Sequence, residues 1–181
     1  MKNLLQGRRI AILVADGFEE SEMTSPREVL SKAGAEVVLI TPDAEKVRSW
    51  QHGRWGKYFK VNGSLKDFSP KEFDGIILPG GVMNPDKLRI NKKAIKFIQH
   101  FVDSNKPIAS ICHGPWVLVE TGRLEGAAVT SYHSIKSDLI NAGAKWENKK
   151  VVRDGNLVTS RTPNDLPSFN KEAIKLFMGI V

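Results

Sequence analysis

The single cysteine of the 181-residue chain, Cys112, is the side chain best suited to covalent chemistry. It follows the apolar run Pro107–Ile111 and precedes His113 and Gly114, where a buried strand ends and a helix is predicted to begin. A sharp strand-to-helix turn with small neighbours is typical of a nucleophile elbow, which presents its reactive side chain at the edge of the sheet. The expected helix start would offer backbone N–H groups to the sulfur, lower the pKa of the thiol and favour the reactive thiolate.

Three carboxyl side chains stand at the same predicted edge of the sheet. Glu19, Glu20 and Glu22 follow the apolar run Arg9–Ala15, which has the composition of a strand buried on both faces. We expect one of these carboxyls to face the sulfur of Cys112. A carboxyl beside a thiolate in a partly dry pocket is pushed towards its protonated form, so it could donate a hydrogen bond or move a proton. The alternative, a solvated helix start where acidic residues are favoured, stays open.

Two consecutive glycines end a further predicted strand. Gly80 and Gly81 come directly after Gly75–Pro79, and such a loop can bring backbone N–H groups to an anionic centre as an oxyanion hole. Gly114 of the elbow is assigned to the same substrate-binding group. A plain strand-ending turn is the competing interpretation of the two glycines.

The elements that must position these residues alternate between strand and helix. Predicted strands are Arg9–Ala15, Glu36–Thr41, Gly75–Pro79, Pro107–Ile111, Ala127–Ser131 and a hairpin within Val151–Ser160 that turns at Asp154-Gly155. Predicted helices are Ser21–Ala33, a short capped helix after Ser69, Asn91–Val102, Gly114–Thr121, Ser134–Asn141 and Asp165–Met178. This alternation predicts one doubly wound α/β domain over residues 1–181, with an irregular excursion or a hairpin over 43–68.

Composition and charge exclude several classes of function. The net charge of +7 arises from 27 basic and 20 acidic residues that are scattered without long like-charge runs, so we expect a solvated basic surface and no nucleic-acid partner. No apolar run is long enough for a bilayer or for a signal peptide, which predicts a cytoplasmic protein without a membrane partner. One cysteine cannot form an intramolecular disulfide, and the four histidines lack metal-ligand spacing, so we expect no metal and no cofactor.

Five sequence motifs together resemble the ThiJ/PfpI superfamily, and within it the PfpI-type branch of intracellular proteases and deglycases. They are Ala15–Glu20 (ADGFEE), Leu78–Gly81 (LPGG), Ala109–Pro115 (ASICHGP), Asn141–Ala144 (NAGA) and Thr159–Leu166 (TSRTPNDL). The resemblance covers nearly the whole chain.

This resemblance implies a flavodoxin-like three-layer sandwich, with a mostly parallel sheet and helices on both faces. It implies that Cys112 is the nucleophile, that Glu19 contacts its sulfur and that His113 is the elbow histidine. In PfpI-type proteins an acid of a neighbouring subunit completes the catalytic set, and Asp86 holds the matching position here. The resemblance therefore also implies a homodimer or a hexamer with the site near a subunit interface.

Three functions fit these residues. The first is glyoxalase or deglycase chemistry, in which Cys112 adds to a small aldehyde or dicarbonyl such as methylglyoxal and Glu19 or His113 moves protons to give lactate. The second is a cysteine peptidase in which His113 is the base, although side chains of consecutive residues at such a turn often diverge. The third is a non-enzymatic redox sensor or chaperone in which Cys112 is oxidised to a sulfinic acid.

Overall fold

The computed structural model describes residues 3–179, so the first two and last two residues of the predicted 1–181 domain lie outside the described part. In chain order the strands are β1 (Arg9–Leu13), β2 (Phe18–Glu19), β3 (Glu36–Thr41), β4 (Lys46–Gln51), β5 (Arg54–Lys60), β6 (Gly63–Ser64), β7 (Gly75–Leu78), β8 (Ile108–Ile111), β9 (Ala128–Val129), β10 (Lys145–Trp146), β11 (Val151–Asp154) and β12 (Leu157–Ser160). The α-helices are α1 (Glu20–Lys32), α2 (Met83–Arg89), α3 (Lys92–Asp103), α4 (Lys136–Asn141) and α5 (Leu166–Met178). Short 3-10 helices cover Pro70–Glu72, Gly114–Thr121, His133–Ile135 and Pro163–Asp165.

A mostly parallel sheet of seven strands forms the centre of the molecule, in the order β11-β12-β8-β7-β1-β3-β6. Only the pair β11 and β12 is antiparallel, because these two strands form the hairpin predicted at Asp154-Gly155. Successive residues of β1 point to opposite faces: Ile10 and Ile12 pack with α1 and α5, whereas Ala11 and Leu13 pack with α3. The predicted α/β architecture, with helices on both faces of the sheet, is therefore confirmed.

The segment 43–68 contains a hairpin, one of the two alternatives that its sequence left open. Strands β4 and β5 pair antiparallel and join β2 in a separate three-stranded sheet. The turn at His52 and Gly53 has φ angles of 50° and 76°, as a tight two-residue hairpin turn requires. The pairing register shifts between Arg48 and Trp50, so this sheet carries an irregularity beside the site described below.

One predicted helix is wound differently from the expectation, and one helix was not predicted. The segment Gly114–Thr121 is helical and ends at Gly122 as expected, but it is wound as a 3-10 helix, so the α-helical start expected beside the sulfur is absent there. Helix α2 was not predicted, because its sequence MNPDKLR is polar and carries no apolar stripe. Within residues 3–179, no helix combines the length and the apolar character needed to span a membrane.

Candidate active site

Cys112 adopts a backbone conformation that few residues other than glycine adopt. Its φ angle is +61°, in the left-handed region. Two hydrogen bonds hold this turn: the Cys112 amide donates to the carbonyl of Ser160 (3.0 Å), and its carbonyl accepts the amide of Tyr132 (2.9 Å). A strained nucleophile position that its neighbours fix in this way has the geometry of a nucleophile elbow.

Glycines allow the surrounding backbone to approach the elbow. A Cβ atom on Gly80 would lie 2.6 Å from Oε2 of Glu22 and 2.7 Å from Cβ of Cys112, so this position has no room for a side chain. A Cβ atom on Gly114 would collide with the carbonyl oxygen of Leu78. Both glycines are therefore required for the close contact of the β7 and β8 ends.

The carboxyl that reaches the sulfur belongs to Glu22 and not to Glu19, which corrects the expectation from the resemblance. Glu22 has no solvent exposure, and its Oε2 accepts the amide of Gly80 at 2.8 Å. Burial raises the pKa of Glu22 to about 8, although the hydrogen bonds from Gly80 and from the Cys112 thiol oppose this shift. Its Oε1 is buried without a conventional partner among the described residues, which leaves that oxygen for a proton shared with the thiol or a substrate.

Glu19 lies at the rim of the same site. It ends β2 in an extended conformation, and Oε1 accepts a hydrogen bond of 3.4 Å from the Ser21 hydroxyl. Partial burial raises the pKa of Glu19, and the hydrogen bond from Ser21 opposes the shift. The sequence carried a signal for Glu22 that the prediction did not use: Glu22, Pro26 and Leu30 recur every four residues on the buried side of α1, and a buried carboxyl requires a hydrogen-bond partner.

The pKa of the Cys112 thiol is raised in this site, opposite to the direction expected from the sequence. The side chain is only 7% exposed, and burial raises its pKa, with a further increase from the charge and hydrogen bond of Glu22. Hydrogen bonds from the amides of His113 and Gly81 lower the pKa but do not offset burial. These two amides face the sulfur, whereas the amide of Gly80 donates to Glu22, so an oxyanion hole that includes Gly81 stays a prediction.

The imidazole of His113 does contact the sulfur. Its Nδ1 lies 3.2 Å from Sγ of Cys112, and its Nε2 lies 3.0 Å from Oγ of Ser134. The ring stacks on Tyr132 with centroids 4.6 Å apart. Burial, with a smaller effect from the charge of His133, lowers the pKa of His113 to about 4. The imidazole is therefore neutral near pH 7 and can accept the thiol proton.

A cleft of about 430 Å³ opens over these groups. Its polar residues are Glu19, Glu22, Cys112 and His113, and its remaining walls are Trp50, Gly81, Val82, Met83, Tyr132 and Pro163. The walls are thus mainly apolar, and such surroundings strengthen the interactions between the charges that develop during a reaction.

The arrangement of a buried cysteine, glutamate and histidine at one sheet edge agrees with the comparison with known families. A family model described as the DJ-1/PfpI family matches residues 8–176. The chain belongs to the DJ-1/PfpI family.

Relatives of this DJ-1/PfpI chain carry enzyme names. It is 43% identical to the "Putative cysteine protease YraA" of Bacillus subtilis strain 168, over 93% of this chain and 98% of the relative. It is 42% identical to "Protein/nucleic acid deglycase 2" of Escherichia coli strain K12, over 93% and 97%. The crystal structure of Drosophila melanogaster DJ-1beta superposes with a TM-score of 0.86 at 29% identity, covering 95% of this chain and 91% of that one. This DJ-1/PfpI protein is a cysteine-based enzyme.

Asp86, the acid that the resemblance assigns to a neighbouring site, lies on the exposed side of α2. Met83, at the start of that helix, is a wall of the cleft, whereas Asp86 is not. A role for Asp86 in a neighbouring subunit of this DJ-1/PfpI protein therefore stays a prediction.

Proposed function

We propose that this protein is a glyoxalase- or deglycase-type enzyme that adds Cys112 to small α-dicarbonyls or to their amine adducts. The observation that supports this function best is the set of three proton-carrying groups in one apolar cleft. The thiol and the Glu22 carboxyl are both protonated near neutral pH, and the imidazole of His113 is neutral. Such a set can add a sulfur to a carbonyl without burying an isolated charge.

The first step forms a hemithioacetal. The thiol gives its proton to Nδ1 of His113, and the sulfur electron pair forms a bond to the aldehyde carbon. The carbonyl oxygen takes the proton of the Glu22 carboxyl, which leaves a carboxylate. The amides of Gly81 and His113, which face the sulfur, are placed to stabilise developing negative charge. With an amine adduct, the sulfur displaces the amine from the same carbon, and the amine leaves with the Glu22 proton.

The second step moves a hydrogen between the two dicarbonyl carbons. The Glu22 carboxylate removes the proton from the sulfur-bearing carbon, and the electron pair forms an enediolate. Glu22 then returns the proton to the neighbouring carbon, while the hydroxyl proton of the sulfur-bearing carbon moves to the oxygen of that neighbour. The product is the thioester of a 2-hydroxy acid. Water cleaves it, His113 returns a proton to the sulfur, and the two protons of water go to Glu22 and to solvent. Methylglyoxal gives lactate by this sequence.

The assay that tests this function measures methylglyoxal consumption and lactate formation by the wild type, by Cys112→Ser and by Ser137→Ala. Ser137 is an exposed serine of α4, and its variant controls for purification and handling. We expect turnover in the wild type and the control and none in Cys112→Ser. Amine release from a methylglyoxal adduct of Nα-acetyl-lysine tests the deglycase branch with the same three proteins. Absence of turnover in both assays would exclude the proposal.

A peptidase is the second candidate, because the 3.2 Å contact between Cys112 and His113 and the name of the Bacillus relative favour it. Cysteine-dependent cleavage of a casein substrate without dicarbonyl turnover would establish this alternative. A redox sensor or chaperone, the third alternative, would oxidise Cys112 with peroxide and turn over neither substrate.

The cytoplasmic location and the homodimer or hexamer are further parts of the proposal. We place the cleft near a subunit interface, with Asp86 approaching the site of the neighbouring subunit. The E. coli relative's name includes nucleic acids. The scattered charges of this chain do not favour a nucleic-acid partner, so the proposed substrates are free dicarbonyls and amine adducts of proteins.

A further inference from the structure

The hydroxyl of Ser134 is the outer partner of the elbow imidazole. His113 is 7% exposed, its Nδ1 faces the buried sulfur at 3.2 Å, and its Nε2 faces Oγ of Ser134 at 3.0 Å. Ser134 itself is exposed to solvent. A continuous path of hydrogen-bonding groups therefore runs from the buried thiol through the imidazole and the hydroxyl to water.

The fold fixes Ser134 beside the elbow. Ser134 lies in the 3-10 helix His133–Ile135, directly after Tyr132. Tyr132 is held to the elbow twice, because its amide donates to the carbonyl of Cys112 at 2.9 Å and its ring stacks on His113 at 4.6 Å. The position of the Ser134 hydroxyl is thus coupled to the backbone of the nucleophile, so this contact is a built feature of the site.

A hydroxyl and a carboxylate would have different effects at this position. In a cysteine peptidase, an amide or carboxylate oxygen accepts the N–H of the imidazole and stabilises one orientation or the imidazolium form. A serine hydroxyl can both accept and donate, so it matches either neutral tautomer of the imidazole. Among residues 3–179, the hydrogen-bond partner of Nε2 is this hydroxyl.

We propose that Ser134 relays protons between His113 and solvent and so completes the proton path of the site within one chain. Ser134 acts as a positioning residue through His113, and the assignment rests on the cysteine chemistry of the proposed function. When the thiol proton passes to Nδ1, the Nε2 proton passes to Oγ of Ser134, whose own proton passes to water. The imidazole changes tautomer without accumulating charge, and the reverse transfer returns a proton to the sulfur.

Alkylation of Cys112 tests the relay without a substrate. The chain has one cysteine, so the mass increase of the intact protein with iodoacetamide reports Cys112 alone. Ser134→Ala removes the partner that takes the Nε2 proton when Nδ1 accepts the thiol proton, so alkylation should slow by about tenfold, equal to about 1.4 kcal/mol. Ser134→Thr keeps the hydroxyl and should restore the wild-type rate to within about twofold, and Ser137→Ala should match the wild type.

Ser134→Asp supplies a readout that a merely structural role would not produce. An aspartate stabilises the imidazolium, so thiolate forms more readily and alkylation at pH 7 should be faster than in the wild type. The same aspartate holds the proton on Nε2 and slows its release. Methylglyoxal turnover should therefore be slower than in the wild type, and its solvent deuterium isotope effect should show the slower proton release. Faster alkylation together with slower turnover supports the relay, whereas changes of the same sign in both assays overturn it.

The two proposals fail in different ways. If the wild type consumes no dicarbonyl, the proposed function fails, and the alkylation rates still decide the relay. If Ser134→Ala and Ser134→Asp both alkylate at the wild-type rate, the relay is wrong whatever the turnover assay shows. Because Ser134 is exposed, these variants should keep the wild-type thermal unfolding temperature, which verifies that they fold.

Discussion

At the scale of single residues, burial rather than position in the sequence determines which glutamate carboxyl takes part in catalysis. Glu19 and Glu22 are three positions apart, but only Glu22 enters the buried stripe of α1 and meets the Gly80 amide and the thiol. We expect Glu22→Gln to lower turnover by about 10² to 10⁴, because the amide cannot donate or return the proton that the Glu22 carboxyl supplies.

The matched variant is Glu19→Gln at the rim of the cleft. Its carboxyl interacts with Ser21 and is not among the causes that raise the pKa of Cys112. We expect its alkylation profile and turnover to stay within about threefold of the wild type. Equal losses in both glutamine variants would show that Glu22 has no special role.

The pH dependence of turnover also belongs to this scale. Glu22 must be protonated to donate, and burial raises its pKa to about 8, so activity should fall as the pH rises through about 8. His113 must be neutral to accept a proton, and its pKa is lowered to about 4, so activity should fall only below about pH 4. A pH series of kcat/KM for methylglyoxal should show this plateau, and the upper limb should disappear from the residual activity of Glu22→Gln. A maximum narrower than one pH unit near neutrality would contradict both assignments.

At the scale of elements, the sequence predicts the strands and helices that have a clear pattern of apolar residues. Strands such as β1 and β8 are continuous apolar runs, and α3 carries a clear apolar stripe, so these elements and the cysteine at the end of β8 could be predicted. The polar helix α2 carries no such signal. The contact between His113 and Cys112 depends on a left-handed φ angle at a non-glycine residue, which local sequence does not specify.

The approach of the β7 end to the elbow gives an element-scale prediction. Gly80→Ala should force the loop away from Glu22 and Cys112, because its Cβ would lie 2.6 Å and 2.7 Å from their atoms. We expect a loss of turnover of about a hundredfold or more from a displacement of this size, together with a lower thermal unfolding temperature. Gly126→Ala is the control. The φ of +71° at Gly126 strains an alanine, but its Cβ would meet no atom within 4 Å, so this variant should lose stability and keep activity.

The hairpin β4–β5 contributes one wall of the cleft. Trp50 of β4 lines the cleft and is supported edge-on by Trp55 of β5, with ring centroids 5.6 Å apart. Trp50→Ala should raise the KM for phenylglyoxal by about tenfold with little change in kcat, because the aromatic wall contributes binding that is equal in ground and transition states. Tyr58→Ala, an exposed position of the same hairpin, should leave both constants unchanged. A fall in kcat alone for Trp50→Ala would assign Trp50 to the chemistry instead.

At the scale of the whole molecule, the parallel sheet gathers the site from distant parts of the chain. Strands β1, β7 and β8 are neighbours in the sheet, and the segments that follow them supply Glu22, Gly81 and Cys112. In open α/β sheets this carboxyl edge is where ligands bind, so the topology alone predicts which chain segments meet. Which of several carboxyls reaches the sulfur depends on side-chain packing that appears only once the layers have assembled.

The contribution of a second subunit to the site belongs to this scale as well. The resemblance assigns Asp86 of a neighbouring subunit to the catalytic set, whereas Nε2 of His113 already has a partner in Ser134 of its own chain. A second acceptor for the same N–H adds little once the first is in place, so we expect Asp86→Asn to lower kcat less than Ser134→Ala does. The measurement is methylglyoxal turnover per subunit for both variants, over a dilution series whose assembly state is followed by sedimentation. A larger loss in Asp86→Asn, or activity that disappears as the assembly dissociates, would mean that the neighbouring carboxylate and not the Ser134 hydroxyl sets the proton path.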